Sequence, residues 1–294
     1  MARKEKYYYI AGMYNVEKGD KVATVSTSCF CVTNDDNPSG IPTMGYLVKS
    51  AKKFAKSKGE KYIEGSFYIV SIIKLTKEQY ESLIEAITPY MEVDKYGETE
   101  IRNIYFDNTD DELIETSLRK PTYKEKLRLR SYGTPDGDST VFFEIKKKYR
   151  GIVYKRRVSM TLNEAYEYIE GGKLPSHIEG NIPSEIDYMM RRYHLSPKAF
   201  ISYHRVAWSG KDNPDLRITF DRDITSRYDD TRLESESDGH KVLGKDTYLM
   251  EIKIPGAMPL WLAHALSERG IFSHSFSKFG TAHVQQKIKM ASGF

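Results

Sequence analysis

Long cationic side chains alternate with apolar residues along five separate segments of this chain, with the two-residue period of β-strands. The apolar positions, such as Leu127 and Leu129, share one side of each segment. The other side carries mostly cations with a few carboxylates: Lys126, Arg128 and Arg130; Glu144, Lys146 and Lys148; Lys155 and Arg157; Arg217, Thr219 and Asp221; Glu251 and Lys253. We call this second set the cationic face. The repetition predicts one sheet with an apolar side and a cationic side.

The cationic face constrains what the sheet can bind. In any single strand a charged side is most simply a solvated surface. A sheet of many strands can instead close into a barrel and turn its charged side inward around a water-filled lumen. Converging Arg and Lys would then repel one another unless a polyanion lay between them, and phosphate suits both. Glu251, and more weakly Glu144, offers oxygen ligands to Mg²⁺ or Mn²⁺, which bridge phosphate oxygens.

The rest of the chain predicts an α+β fold. Thr76 and Gln79 form a capping box that opens a helix ending before Pro89. Further helices are predicted at 162–170, 185–194 and 258–269, and strands at 101–107, 122–132, 140–149, 152–160, 200–208, 215–223 and 247–254. We predict an antiparallel β-barrel tunnel with flanking helices over residues 67–290. A small basic α/β segment, residues 1–66, precedes it.

Composition excludes several classes of protein. The 294 residues are 39% hydrophobic and 12% aromatic, which is typical of a folded chain. The longest apolar stretch, Phe67 to Ile73, is far shorter than the roughly 20 residues of a spanning helix, so no transmembrane segment is expected. No signal-peptide pattern begins the chain, and we expect a cytoplasmic location. Cys29 and Cys31 have no partner cluster and predict neither a disulfide framework nor a zinc site.

Charge is distributed unevenly along the chain. Residues 1–66 contain 11 of the 45 Lys and Arg and 7 of the 41 Asp and Glu, so the remainder is balanced at 34 of each. A protein that binds nucleic acid over its whole surface usually has a broader excess, and no nucleic acid partner is expected. Lys49, Lys52, Lys53 and Lys56 lie on one face of a predicted helix that begins near Met44 and ends before Gly59, where solvation is the simpler interpretation.

The amino-acid sequences of the predicted strands resemble those of a known family. The segments that carry the resemblance are Ile101–Asn108, Tyr123–Gly133, Phe143–Lys146, Tyr154–Arg157, Tyr203–Arg205, Leu216–Asp221, Leu249–Lys253 and Ser275–Phe279, in order. Together they resemble the catalytic domain of the vacuolar transporter chaperone (VTC) family, the polyphosphate polymerases, which belong to the triphosphate tunnel metalloenzymes. The resemblance spans about residues 75 to 285.

The resemblance implies a site and a reaction. The γ-phosphoryl of ATP would pass to a growing polyphosphate chain with release of ADP, by a metal-dependent phosphotransferase using Mn²⁺ or Mg²⁺. Phosphate and ATP ligands would be Arg128, Arg130, Lys146, Lys155, Arg217 and Lys253. The catalytic residues would be Lys278, Arg205 and Glu251, and Glu251 would also hold the metal. Any membrane role would require a membrane-protein partner.

The opening strand departs from the family pattern. Members resemble Arg-x-Glu-x-Lys-Tyr immediately before the first helix, whereas this chain has the uncharged stretch Phe67 to Ile73 there. Either Arg3 to Tyr7 is the displaced opening strand, with residues 11–73 inserted after it, or an unrelated N-terminal unit has replaced that strand. Two further hypotheses are a tunnel-fold triphosphatase and a non-catalytic polyphosphate or nucleotide sensor. Hydrolytic relatives resemble Glu-x-Glu-x-Lys at the opening strand, which this chain lacks before its helix, so the pattern favours the polymerase over the triphosphatase.

Overall fold

The computed structural model describes residues 7–18, 21–32, 49, 52–53, 55–56, 61–62, 68–119, 121–149, 152–273 and 275–292. Its strands are β1 (Tyr7–Lys18), β2 (Lys21–Val32), β3 (Lys61–Tyr62), β4 (Tyr68–Thr76), β5 (Met91–Asp107), β6 (Tyr123–Tyr132), β7 (Thr140–Tyr149), β8 (Ile152–Thr161), β9 (Ser196–Gly210), β10 (Arg217–Arg227), β11 (His240–Lys241) and β12 (Thr247–Pro255). Its helices are α1 (Lys77–Ile87), α2 (Glu112–Leu118), α3 (Leu162–Gly171), α4 (Asn181–Tyr193), α5 (Leu260–Glu268) and α6 (Lys278–Ala291). Most of the predicted helix between Met44 and Gly59, and Arg3 to Lys6, lie outside the described residues.

The strands form one antiparallel sheet in the order β2-β1-β4-β12-β10-β9-β5-β6-β7-β8. The predicted closed barrel is wrong, because closure requires a hydrogen-bonded ladder between the two end strands. Some Cα atoms of β2 and β8 lie within 8 Å of each other. In the described part of the chain, however, no ladder joins β2 to β8. The sheet is therefore open, with its two edges brought close together.

The N-terminal strands belong to the same sheet as the rest. β1 and β2 form a hairpin that runs from Tyr7 opposite Val32 to Lys18 opposite Lys21. β1 also pairs with β4, where Gly12 lies opposite Ile69. The hairpin thus extends the sheet beyond β4, and the boundary between residues 66 and 67 stays a prediction.

The strand register brings the cationic face together. Lys126 lies opposite Lys146, which in turn lies opposite Lys155 on the next strand. Farther along the strand order, on β10 and β12, Arg217 lies opposite Lys253. Directly opposed residues project to the same side of a sheet. The period-two alternation in the sequence therefore reports a real common face.

Four helices cover the apolar side of the sheet. α1 and α5 pack on β4, β10 and β12 through buried residues such as Leu83, Leu262 and Ile252. α3 and α4 pack on β6, β7 and β8 around Phe143. The predicted capping box is confirmed, since the Gln79 backbone N–H donates to Thr76 Oγ1. The cationic face lies on the opposite side of the sheet, which we call the concave side because the edge strands β2 and β8 approach each other.

The remaining two helices close one end of the concave side. The buried Asp107 carboxylate accepts hydrogen bonds from the Leu113 and Ile114 backbone N–H groups and so fixes the start of α2. α6 packs Phe279 on Tyr105 with ring centroids 4.8 Å apart. In the described part of the chain, no helix is both long and apolar enough to cross a membrane.

Candidate functional site

A buried glutamate organises the cations of β6 and β8. Glu144 on β7 is 2% exposed, and its Oε2 accepts from Arg128 Nε at 2.7 Å and lies 2.6 Å from Arg128 Nη2. Lys155 Nζ lies 3.1 Å from Oε1, and Arg130 Nη1 lies 3.8 Å from Oε2. Burial alone would raise the pKa of Glu144, but these three cations lower it to about 2. Glu144 is therefore ionised and already neutralised, which makes it a counterion more than a metal ligand.

A second buried carboxylate performs the same role on the neighbouring strands. Asp221 on β10 is 2% exposed and accepts from Arg205 Nε at 2.5 Å and from Arg205 Nη2 at 2.8 Å. Lys278 Nζ, at the first residue of α6, lies 2.6 Å from Asp221 Oδ2. Burial would raise the pKa of Asp221, but Lys278 and Arg205 lower it below its ordinary value of 3.8. The predicted catalytic residues Arg205 and Lys278 thus form ion pairs with the same carboxylate, that of Asp221.

Neutral residues that the sequence analysis overlooked connect these two clusters. Arg130 donates from Nη2 to the Tyr203 hydroxyl at 3.1 Å and from Nε to Asn103 Oδ1 at 2.9 Å. Lys278 Nζ lies 4.3 Å from the centroid of the Tyr203 ring. Tyr203 therefore contacts cations of both clusters. Its position two residues before Arg205 on one strand places both side chains on the same face, and this spacing could have indicated its role from the sequence.

Tyr105 is a second overlooked residue of the site. Its hydroxyl accepts from Arg128 Nη1 at 3.2 Å, and its side chain is buried. Burial would raise the pKa of Tyr105, but Arg128, Arg130 and Lys278 lower it to about 8. The strand register places Tyr105 directly opposite Arg128, so the two residues share the cationic face.

Lys126 and Lys146, which lie opposite each other on the cationic face, form no ion pair with a carboxylate among the described residues. Lys126 Nζ donates to Ser277 Oγ at 2.9 Å, and Ser277 also caps α6. Burial lowers the pKa of Lys126; the Tyr105 hydroxyl opposes this, while Lys146 and other cations lower the pKa further, to about 8. Burial and Arg128 lower the pKa of Lys146, and Glu251 opposes this. Such lysines are suited to receive an anion, which would restore their ordinary charge.

This arrangement predicts proton uptake on binding of a phosphate polyanion. At pH 8 about half of Lys126 is neutral, and a bound anion raises its pKa, so Lys126 should contribute up to about half a proton per complex. The measurement is calorimetric titration with tripolyphosphate in buffers of different ionisation enthalpy, comparing the wild type with Lys126→Met. The difference in uptake should vanish at pH 6.5, where Lys126 is already charged. Equal uptake by both proteins at pH 8 would contradict the prediction.

The remaining predicted ligands lie towards one rim of the concave side. Arg217 Nη2 donates to Asp94 Oδ2 at 2.8 Å, and its side chain is 47% exposed. Lys253 lies opposite Arg217 on β12 and is exposed. Among the described residues, Arg217 makes no ion pair with Glu144 or Asp221. Arg217 therefore flanks the central cluster, and Lys253 lies opposite it.

Glu251 fits a metal ion only in the presence of a ligand. In the part of the chain that the structure describes, no hydrogen bond or ion pair engages its carboxylate, unlike those of Glu144 and Asp221. No group of three His, Cys, Asp or Glu side chains that could hold a metal occurs in the described ranges. Mg²⁺ is commonly held by one or two carboxylates together with substrate phosphates and water. One free carboxylate beside a cationic face fits that kind of site.

Comparison with known proteins gives a family and a general likeness. Residues 73–285 match the model of the VTC domain. A candidate adenylate cyclase from Bacillus halodurans is 17% identical with a TM-score of 0.44, and the likeness covers 71% of this chain and 92% of that one. A second candidate adenylate cyclase, from Vibrio parahaemolyticus, is 11% identical with a TM-score of 0.40, covering 73% and 97%. The PH1819 protein of Pyrococcus horikoshii OT3 is 11% identical with a TM-score of 0.35, covering 74% and 99%.

The family match contains the complete candidate site. Both carboxylate clusters, from Arg128 to Lys278, lie within residues 73–285. VTC domains bind phosphate-rich ligands, which agrees with the chemistry of the cationic face. The chain therefore belongs to the VTC domain family.

Proposed function

We propose that this protein is a metal-dependent polyphosphate polymerase that uses ATP. The observation that carries the proposal is the convergence of Arg128, Arg130, Arg205 and Lys278 around two neutralised carboxylates on one concave face. In the proposed reaction the terminal oxygen of a polyphosphate chain bonds to the γ-phosphorus of ATP. The bond from that phosphorus to the bridging oxygen breaks, and ADP leaves.

The residues of the face can supply what phosphoryl transfer requires. The reaction depends mainly on in-line positioning and on stabilisation of charge, without a covalent nucleophile. Glu144 and Asp221 fix the guanidinium groups of Arg128 and Arg205 and leave their other N–H groups for phosphate oxygens. Lys126 and Lys146 add positive charge without a carboxylate partner in the described structure. Pre-fixed donors lose little freedom when the ligand binds.

Glu251 would hold the divalent ion, as Mg²⁺ or Mn²⁺. Bound there, the ion would neutralise charge on the phosphates. Glu251 lies opposite Thr219 on the strand next to Asp221, on the same face as the cations. Burial lowers the pKa of Lys146 and the charge of Glu251 partly opposes this, so Glu251 lies in the field of the phosphate-binding groups.

The register of β4 bears on the choice between synthesis and hydrolysis. Val70 and Ile72 occupy the positions opposite Lys253 and Glu251, so this strand adds no carboxylate there. The resemblance associates hydrolytic relatives with a carboxylate-rich opening strand, and its absence here supports the polymerase. We propose a cytoplasmic location for the reaction, with a membrane-protein partner if the polymer is exported.

The test is incubation of the purified protein with ATP and Mn²⁺ or Mg²⁺, followed by separation of ADP, free phosphate and polyphosphate. We expect one ADP to be released for each phosphate that is incorporated into polymer. Glu251→Gln should raise the metal concentration for half-maximal rate by about 10-fold or more. Glu268→Gln, on the exposed surface of α5, is the matched control and should leave it unchanged.

The products separate the three hypotheses. Free phosphate without polymer would replace the polymerase with the triphosphatase. Metal-dependent binding of polyphosphate without turnover would replace it with the sensor. Absence of both binding and turnover would overturn the assignment of the site.

A further inference from the structure

An aromatic pair lies at the edge of the cationic face where β6 and β7 approach their connecting turn. The rings of Tyr132 and Phe142 have centroids 5.8 Å apart and an interplanar angle of 77°. The Arg157 guanidinium lies over the Phe142 ring, 4.6 Å from its centroid. Tyr132 is 51% exposed and Arg157 is exposed, so a ligand can reach both.

This aromatic pair continues the row of phosphate-binding candidates. Phe142 lies opposite Arg130, and Tyr132 follows Arg130 by two residues on β6, so all three project to the same side of the sheet. Arg128 and Tyr132 are four residues apart, which is about 13 Å along a strand. The aromatic pair is thus separated from the central cations by a distance that a nucleotide's phosphates and ribose can span.

The direction of access also favours this edge. α6 covers the other end of the concave side, where Phe279 packs on Tyr105. Arg157 makes no ion pair with a carboxylate in the described structure, although Glu144 lies opposite it in the register. Its guanidinium therefore has free N–H groups beside an aromatic ring, on the open side of the site.

We propose that Tyr132, Phe142 and Arg157 form the subsite for the nucleoside end of the nucleotide substrate. The base stacks on the exposed ring of Tyr132, which Phe142 supports edge-on, and Arg157 donates to the phosphate nearest the ribose. Stacking on aromatic side chains tolerates any base because every base has a π-face. The chemistry thus predicts selection of a nucleoside triphosphate over inorganic phosphates, with little discrimination among bases. This inference rests on the proposed use of a nucleoside triphosphate.

The test compares two ligands that differ only in the nucleoside. Affinities for ATP and for inorganic tripolyphosphate, both with Mg²⁺, are measured by calorimetry on the full chain. Tyr132→Ala and Phe142→Leu should weaken ATP binding at least about 5-fold and leave tripolyphosphate binding unchanged. Tyr132→Phe should retain the wild-type preference for ATP. Tyr188→Ala, an exposed tyrosine on α4, is the control for loss of a surface aromatic.

A spectroscopic readout separates stacking from a structural role. The fluorescence of 2-aminopurine riboside triphosphate should be quenched on binding to the wild type and to Tyr132→Phe, and recover in Tyr132→Ala. Equal weakening of both ligands in Tyr132→Ala would overturn the subsite, as would unchanged ATP affinity. If the wild type bound ATP no more tightly than tripolyphosphate, the nucleoside subsite would be refuted but the proposed function would stand. If it bound neither ligand, the proposed function would fall with it.

Discussion

Replacing Lys278 with alanine is expected to reduce the turnover number for ATP-dependent polyphosphate synthesis by about 10²- to 10³-fold, the effect typical of removing one fixed donor to transition-state charge. Lys278 is placed by three features. It begins α6 directly after the cap Ser277, its Nζ lies 2.6 Å from Asp221, and the Tyr203 ring lies beneath it. A cation held this firmly can meet charge that develops on a transferring phosphoryl group without reorganising.

The loss should fall on turnover more than on substrate affinity. Arg128, Arg130 and Lys146 remain to bind the ground-state phosphates, so the KM for ATP should change by less than about 10-fold. The fold should persist because Asp221 keeps its two bonds to Arg205 and Phe279 keeps its packing on Tyr105.

Lys289→Ala provides the matched control, since Lys289 lies in the last turn of the same helix and is exposed. It should retain the wild-type turnover number. An unchanged turnover number together with an unchanged KM in Lys278→Ala would show that this lysine serves only to neutralise Asp221. A rise in KM with unchanged turnover would assign it to ground-state binding.

The strands of the site could be predicted from sequence because their signal is local. Between residues 140 and 149, Phe143 and Ile145 alternate with Glu144 and Lys146, and burial follows that alternation except at Glu144, which is buried together with its cationic partners. The same period on neighbouring strands was sufficient to predict a common cationic side. Which cation lies beside which carboxylate depends on register, and register is set by long-range pairing.

Two features of the site lacked such a signal. α6 carries few apolar residues at helical spacing, with Phe279 and Ala282 buried but Ile288 exposed, and the stretch around Lys278 therefore resembled a loop. Tyr105 is an ordinary strand residue in the sequence, and only its position opposite Arg128 makes it part of the site.

The closed barrel was predicted wrongly for the same reason that α6 and Tyr105 were missed: the feature depends on long-range pairing and has no local sequence pattern. A two-residue period predicts strands and faces but says nothing about whether the first and last strands pair. β1 and β2 are placed between β4 and β8, and the edge of β2 approaches β8 without a ladder in the described structure. The enclosed surroundings of the cations result from sheet curvature and α6, neither of which has a local sequence pattern.

Asp221→Ala is expected to lower the free energy of unfolding by about 3–5 kcal/mol, because it leaves two cations close together without their counterion. Arg205 and Lys278 are 23% and 14% exposed, so water can screen them only in part. Urea denaturation of the variant and the wild type measures the loss. Asp212→Ala, an exposed change in the turn before β10, should alter the free energy of unfolding by less than about 0.5 kcal/mol.

Tripolyphosphate should restore much of the free energy of unfolding that Asp221→Ala loses. This result would distinguish a counterion role of Asp221 from a role in packing alone. A ligand that binds only the native state stabilises it by RT ln(1 + [L]/Kd), so the gain reports affinity. In the variant the two cations are released from Asp221 and should bind phosphate more tightly, so tripolyphosphate should stabilise the variant more than the wild type. Equal stabilisation of both proteins would mean that Asp221 and the ligand do not compete for Arg205 and Lys278. A larger gain in the variant would show that this carboxylate occupies, in the free protein, the electrostatic role that phosphate takes in the complex.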